Sequence, residues 1–419
     1  MSLFSQANDS ARDFLSWNSA SGTTPARAIN GSASSRIRPL GTANVSGLGM
    51  ERAFRVQAAK GQHAMDDRQA EALMETRDPA KAIAWQAEHC RLADASATAR
   101  VIDAMLPLLA GDTACGRRMR DWPGLSAEDA MPLRLCGGLH SLHLSGREPR
   151  LGPVYAGEVT DQADVDRVVQ TVVRDHDAYL LGWFDGPPQT NEAGRSGGLM
   201  AGLLWLSQRL GPRFEVNEIG ASAGINTMME RYAFDLGGVK VGPQDSPMHI
   251  APEWRGTPPP DSGVEIESIQ GCDVNPVDLT DPEAALRLKS YVWAESAMRL
   301  GRVDAAIALA RTKPPRLSRA DAGEWVAGRL AAYQEHGTTR VLLHSIVWQY
   351  LPSDTRARIE GLMEQAGARA TTGRPLAWVQ LETNRITFRH ELRVRYWPGG
   401  EEPVLLAQAH AHGAWVEWF

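Results

Sequence analysis

The chain is expected to fold as an α/β protein: a mostly parallel sheet with helices on both faces and an antiparallel hairpin at its C-terminal edge, preceded by a helical domain. Three observations carry this expectation. Apolar residues recur at helical spacing through residues 51–211 and then give way, after Gly211-Pro212, to short apolar runs that alternate with helical segments. The first of those runs, 214–219, leads into a loop of tiny residues, Gly220-Ala221-Ser222-Ala223-Gly224, with a helix expected next. Near the end, Pro398-Gly399-Gly400 separates two alternating runs, as the turn of an antiparallel hairpin does.

Composition bounds the rest. With 419 residues, 43% of them apolar and 22% charged, the chain has ample material for a large core. A net charge of -6 offers no broad attraction to phosphate backbones or anionic lipid, so neither nucleic acid nor a membrane is the expected partner, and a small molecule is. Cys90, Cys115, Cys136 and Cys272 form no paired spacing, which suits a reducing cytoplasm. No apolar run reaches the roughly 20 residues of a membrane span.

Taken in order, residues 1–49 are rich in Ser, Ala, Gly and Asn and read as a disordered extension, with Met50 as the expected natural start. Residues 50–211 read as the helical domain. Val165, Val168, Val169, Val172 and Val173 make one apolar stripe, started near Thr160 or Asp161, and a helix over 196–210 stops at Gly211-Pro212. Residues 212–419 read as the α/β domain, with strands at 214–219, 264–271, 316–318, 340–345, 376–381, 391–397 and 404–419. Helices start at Asp281-Pro282-Glu283 and near Pro352 or Ser353. A stretch rich in proline and glycine, 237–263, reads as an insertion.

The 220–224 loop admits two chemistries. As G-x-S-x-G it is a nucleophile elbow, with Ser222 attacking a carbonyl and Asp321 or Asp354, then His410 or His412, completing a serine hydrolase triad in chain order. As the first glycine loop of a Rossmann-like sheet, its small residues let backbone approach a cofactor. The loop follows the first strand, whereas a hydrolase builds half its sheet before the nucleophile, so the cofactor reading leads. A nicotinamide site would need glycine where Ser222 stands, and a diphosphate would meet that side chain.

The later segments resemble class I S-adenosylmethionine-dependent methyltransferases. Ile269-Gln270-Gly271-Cys272-Asp273-Val274-Asn275-Pro276 is similar to their second strand, whose terminal acid holds the ribose hydroxyls. That resemblance gives the role to Asp273, 49 residues beyond Gly224. Leu317-Ser318-Arg319-Ala320-Asp321-Ala322 resembles the loop whose acid meets adenine, and the segment from Arg340 to Leu351 resembles the fourth strand and following helix. The donor-binding residues so implied are Glu218, Gly220, Ala221, Ser222, Gly224, Asp273 and Asp321, with His344 orienting or deprotonating the acceptor. Four separated segments, Glu218 to Asn226, Gly271 to Asp281, His344 to Pro352 and the ending from Ala409 to Trp418, also resemble a bacterial domain-of-unknown-function family, number 2332, which implies no established activity.

Other candidates have plainer readings. His344 is equally a buried, satisfied histidine, and Glu382 a loop cap. His410-x-His412 and His140-x-x-His143 lack a carboxylate or thiolate at a familiar spacing, so no metal is expected. Arg134 either reaches the cleft or sits in a glycine-containing helix packed on its neighbour. The expectation is therefore a cytoplasmic methyltransferase using S-adenosylmethionine, with a serine hydrolase or a non-catalytic ligand-binding protein as alternatives.

Overall fold

The structure, a computed structural model, describes residues 76–419; the expected extension over 1–49 and the start at Met50 lie outside these residues. Thr76–Phe419 forms one compact unit.

It opens with helices α1 (Pro79–Leu92), α2 (Ser96–Asp103), α3 (Ala114–Arg120), α4 (Met131–Leu144), α5 (Gln162–Asp175) and α6 (Ser196–Leu210). Their starts follow from local chemistry. Asp78 accepts from the amides of Ala80 and Lys81 with Pro79 in the first turn, and Asp161 accepts from Asp164. The valine stripe of α5 buries Val165, Val169, Val172 and Val173, whereas Val168 stays at the margin. Those four pack with Ile102, Met105, Leu135 and Leu139 in a core made by helices alone. At its C-terminus α6 stops on Gly211, whose φ of 92° favours glycine.

The strands are β1 (Arg213–Ile219), β2 (Ala233–Leu236), β3 (Val239–Val241), β4 (His249–Ile250), β5 (Glu253–Arg255), β6 (Glu265–Asp273), β7 (Leu317–Arg319), β8 (Thr339–Ser345), β9 (Leu376–Thr383), β10 (His390–Trp397), β11 (Gly400–Ala409) and β12 (Trp415–Trp418). Nine of them form one sheet in the order β5-β12-β11-β10-β9-β8-β1-β6-β7. The run from β9 to β7 is parallel, and β9, β10, β11 and β12 pair antiparallel. Helices α7 (Pro282–Ser290), α8 (Ala297–Thr312), α9 (Ala322–Ala331) and α10 (Ser353–Gly367) complete the fold. One sheet face packs Phe214, Val216, Val341 and Val379 on Leu199 and Leu203 of α6 and on Val303 and Ala306 of α8. The other packs Ile219, Leu342 and Trp378 against Val326 of α9 and Ile359 and Met363 of α10. The molecule is thus a mixed α/β protein, a large mostly parallel sheet with helices on both faces.

Two expectations need correction. The glycine loop does not enter an α-helix: it leads to a short 3-10 turn, Asn226–Arg231, and then to the small sheet β3-β2-β4. The reason is local, since Tyr232-Ala233-Phe234 is strand-forming and Gly237 and Gly238 turn the chain back at φ of 66° and 97°. The 237–263 stretch, read as an insertion, carries β5, which pairs parallel with β12 at the sheet edge. The single last strand expected over 404–419 is two, β11 and β12, divided by a turn with Gly413 at φ 67°.

Between β1 and β8 the chain changes direction of travel: β6 and β7 lie to one side of β1, and β8 and β9 to the other. Open sheets of this kind leave a crevice beyond the carboxyl ends at such a point. No helix among the described residues is long and apolar enough to cross a membrane.

Candidate functional site

The carboxyl ends of β1, β6 and β7 bring Gly220, Asp273 and Asp321 to one sheet edge: Ile219 pairs with Cys272, and Asp273 with Arg319. Asp273 binds the loop itself. Ser222 donates its backbone amide to Asp273 Oδ2 at 2.9 Å, and Asn275 donates to Oδ1 at 2.8 Å. The first of these bonds compensates Ser222 for a left-handed backbone, φ 51°. Ala221 N on Cys272 O and Val277 N on Ser222 O tie the two loops further. Asp321 caps α9, accepting from Glu324 N at 3.0 Å, and is exposed.

The loop glycines make way for protein. A Cβ on Gly220 would stand 2.2 Å from Val347 Cγ2, and one on Gly224 would crowd Pro315, Thr227 and Leu317; both residues have positive φ. Close approach of a ligand to the Gly220 backbone, as the glycine-loop reading expects, is therefore taken up by the Val347 side chain. Ala221 and Ala223 are buried completely.

Alternation along β1 sends Phe214, Val216 and Glu218 to the α6 face and Glu215, Asn217 and Ile219 to the α9 face. Glu218 is only 2% exposed, and Asn226 Nδ2 donates to its Oε1 at 2.9 Å. Burial pushes its carboxyl up to about 8, against the pull of Asn226 and the Arg195 guanidinium. The proton this retains at neutral pH makes Glu218 a donor. Glu218 Oε2, Ser222 Oγ and Asn226 Oδ1 are all buried with no hydrogen-bond partner. Three buried polar atoms around one loop thus have hydrogen-bonding capacity left over. Ser345 lies beside them, its Oγ 3.4 Å from Asn226 Nδ2, and Arg195 holds the Ser345 and Ala411 carbonyls.

His344 is elsewhere. Fully buried on the α10 face, it stacks on Trp348 with ring centroids 5.1 Å apart. Trp378 Nε1 donates to its Nε2 at 2.9 Å, and its Nδ1 meets Glu382 Oε1 at 2.6 Å. An indole N–H only donates, so Nε2 carries the lone pair and Nδ1 the proton. Both ring nitrogens are spent inside the protein and the sheet separates them from Glu218, so His344 is not placed to deprotonate a substrate at the loop; it positions Glu382. That carboxylate also accepts from Val347 N at 3.1 Å and Trp348 N at 3.3 Å. These bonds hold a turn in which Ile346, β-branched, adopts φ 51°. The turn in turn seats Val347 over Gly220.

The hydrolase triad is not assembled. Ser222 Oγ has no partner; His410 Nδ1 accepts from the His412 amide, and Asp354 accepts from Thr355 N. Arg134 donates to the carbonyls of Asp129 and Phe184 within the helical core. Asn226 and Arg195 joined the site unpredicted. Asn226 stands inside the loop motif, where an amide after a buried glutamate is a usable signal, but Arg195 precedes β1 and arrives only through packing.

A family model described as "Uncharacterized protein conserved in bacteria (DUF2332)" matches residues 80–418. No curated protein and no solved structure matches the chain.

Proposed function

The chain belongs to that family, and from this premise we propose that it binds S-adenosylmethionine at the carboxyl edge of β1, β6 and β7 and transfers its methyl group to a small-molecule or protein acceptor. The observation that carries the reading is the bond from Ser222 N to Asp273 Oδ2: it puts an acid from the neighbouring strand directly against the loop that ends the central one. A carboxylate has about four lone-pair sites. Two backbone donors leave Asp273 capacity for the vicinal hydroxyls of a ribose. The orphaned Glu218 Oε2, Ser222 Oγ and Asn226 Oδ1 fit the polar parts of such a ligand, and Asp321 stands further along the same edge. Val347 gives an apolar contact in place of open backbone at Gly220.

When bound, the donor supplies an electrophilic methyl on a sulfonium. The protein's share is alignment, which lowers the barrier without a covalent intermediate. Protonated Glu218 donates, Asp273 accepts, and Arg195 fixes the Ser345 end of the crevice. A Rossmann-like binding mode here works through loop amides and acids, without a long helix dipole behind the loop.

Calorimetry of the full chain with S-adenosylmethionine and S-adenosylhomocysteine tests this. Micromolar binding, weakened about tenfold or more by Asp273→Asn, is expected from a lost charged hydrogen bond. Failure to bind either compound at millimolar concentration removes the proposal.

A further inference from the structure

At the other end of the sheet from the glycine loop, where β8 and β9 begin, a cleft of about 350 Å³ opens between the residues that follow α9 and the last turn of α10 with its continuation. That volume falls at the small end of ligand sites, roughly 300–1,000 Å³. Leu330, Leu376, Ala366 and Ala370 give the cleft an apolar surface, and Tyr333, 74% exposed, stands among them. Three arginines, Arg340, Arg369 and Arg374, line it, and no aspartate or glutamate does. Arg340 is committed: it pairs with Glu215 and donates to the carbonyls of Ala332 and Tyr333. Glu215 is shared with Arg329, so two guanidiniums on one carboxylate leave a positive charge behind the lining. Arg374 spends Nε on the Gln334 carbonyl at 3.0 Å, which leaves both terminal nitrogens, and its guanidinium lies 5.7 Å from the centre of the Tyr333 ring. The carbonyls just beyond α9, at the negative end of that helix, are thus met by Arg340 and Arg374. Arg369 is surplus to them and makes no hydrogen bond or ion pair with a described residue.

We propose that this cleft is a binding site for a small molecule that carries a carboxylate or phosphate on a flat apolar body. A planar guanidinium meets either anion with two parallel N–H bonds and is always charged, and Arg369 and Arg374 both have those donors to spare. The Tyr333 ring and the leucine and alanine side chains take the body. A cation finds no carboxylate in the lining to pair with, and an anion without an apolar part leaves half of the surface unused. The cleft lies the length of β8, seven residues or about 20 Å, from the carboxyl edge of the sheet. It stands independently of whether that edge holds an adenosyl donor.

The test is calorimetry of the full chain with benzoate, phenyl phosphate, benzamide and inorganic phosphate. The tighter of benzoate and phenyl phosphate identifies the anion. It should bind about tenfold or more tightly than benzamide, which has the ring without the charge, and than inorganic phosphate, which has the charge without the ring. Arg369→Gln should weaken that probe about tenfold while leaving the unfolding temperature unchanged, since the side chain has no partner to lose. Ala370→Trp should close the cleft to both aromatic anions without touching a charge, and keeps the test alive should the first variant fail to fold. The proposal is overturned by benzamide or inorganic phosphate binding as tightly as the better aromatic anion, by binding indifferent to both substitutions, or by no binding of either aromatic anion at millimolar concentration.

Discussion

The indole of Trp378 donates to His344 Nε2 at 2.9 Å, and this one bond decides which ring nitrogen of a histidine near the carboxyl end of β8 carries the proton. It makes the Nδ1–H tautomer obligatory and turns the ring toward Glu382. Nitrogen-15 NMR of the folded protein should show Nδ1 protonated and Nε2 bare. His344→Phe leaves the buried Trp378 N–H without an acceptor and takes one of the three donors from Glu382, at a cost on the order of 2–4 kcal/mol. A stable variant, or the opposite tautomer, contradicts the arrangement.

Gly220→Ala should be among the most damaging small changes in the chain. The new methyl meets Val347 in a backbone region that costs an L-residue about 1–2 kcal/mol before any clash, with overpacking adding a similar amount. Placing it in a Val347→Gly background should return the part due to the clash. Urea melts of the single and double variants separate the two contributions, and an identical loss in both backgrounds would mean that Val347 is not the obstacle.

Glu215 and Arg340 stand directly opposite on β1 and β8, with Arg340 Nη2 3.0 Å from Glu215 Oε2 and Arg329 Nη2 2.7 Å from Oε1. Arg340→Met leaves a buried carboxylate short of one partner and should destabilise by roughly 3–5 kcal/mol. The double variant Glu215→Met, Arg340→Met should be more stable than the single one, as two apolar groups replace the pair. Arg340 also holds the Ala332 and Tyr333 carbonyls beyond α9, so recovery is partial.

Glu218 should make stability fall with rising pH. The folded protein keeps this proton to about 8, whereas the unfolded chain releases it near 4.5. Between those values the native state binds more protons, so each step upward favours unfolding until the folded carboxyl has titrated. Glu218→Gln removes the dependence. The variant's stability relative to the unsubstituted protein should therefore rise between pH 5 and pH 9, by an amount on the order of a few kcal/mol. A difference that does not change with pH would mean the carboxyl is not held protonated.

Where local chemistry acts alone, the sequence was readable. The stop of α6 at Gly211, the Asp281 cap with Pro282 behind it, the valine stripe of α5 and the hairpin around Pro398-Gly399-Gly400 all appear where their residues place them. The glycine loop itself was also legible as the end of the first strand, and Glu218 and Asp273 as its neighbours. Its continuation was not. A loop of small residues precedes helix or turn with equal ease, and the residues that select the 3-10 turn and the β2–β4 excursion, Tyr232-Ala233-Phe234 and Gly237-Gly238, lie beyond the loop itself. His344 shows the same limit: a histidine at a strand end reads as chemistry until Trp378, 34 residues on, takes its second nitrogen.

Residue order alone settled most strands of the large sheet and several of its helices, that they build a mixed α/β protein, and that 220–224 ends the first strand, because capping, periodicity and glycine's freedom act within a few positions. Folding decided which face of the sheet each side chain serves. It set Glu218 with Asn226 and Arg195 on one side and His344 with Glu382 on the other, and it filled the space over Gly220 with Val347. Those outcomes depend on register between strands far apart in the chain, and a shift of one residue would exchange the faces.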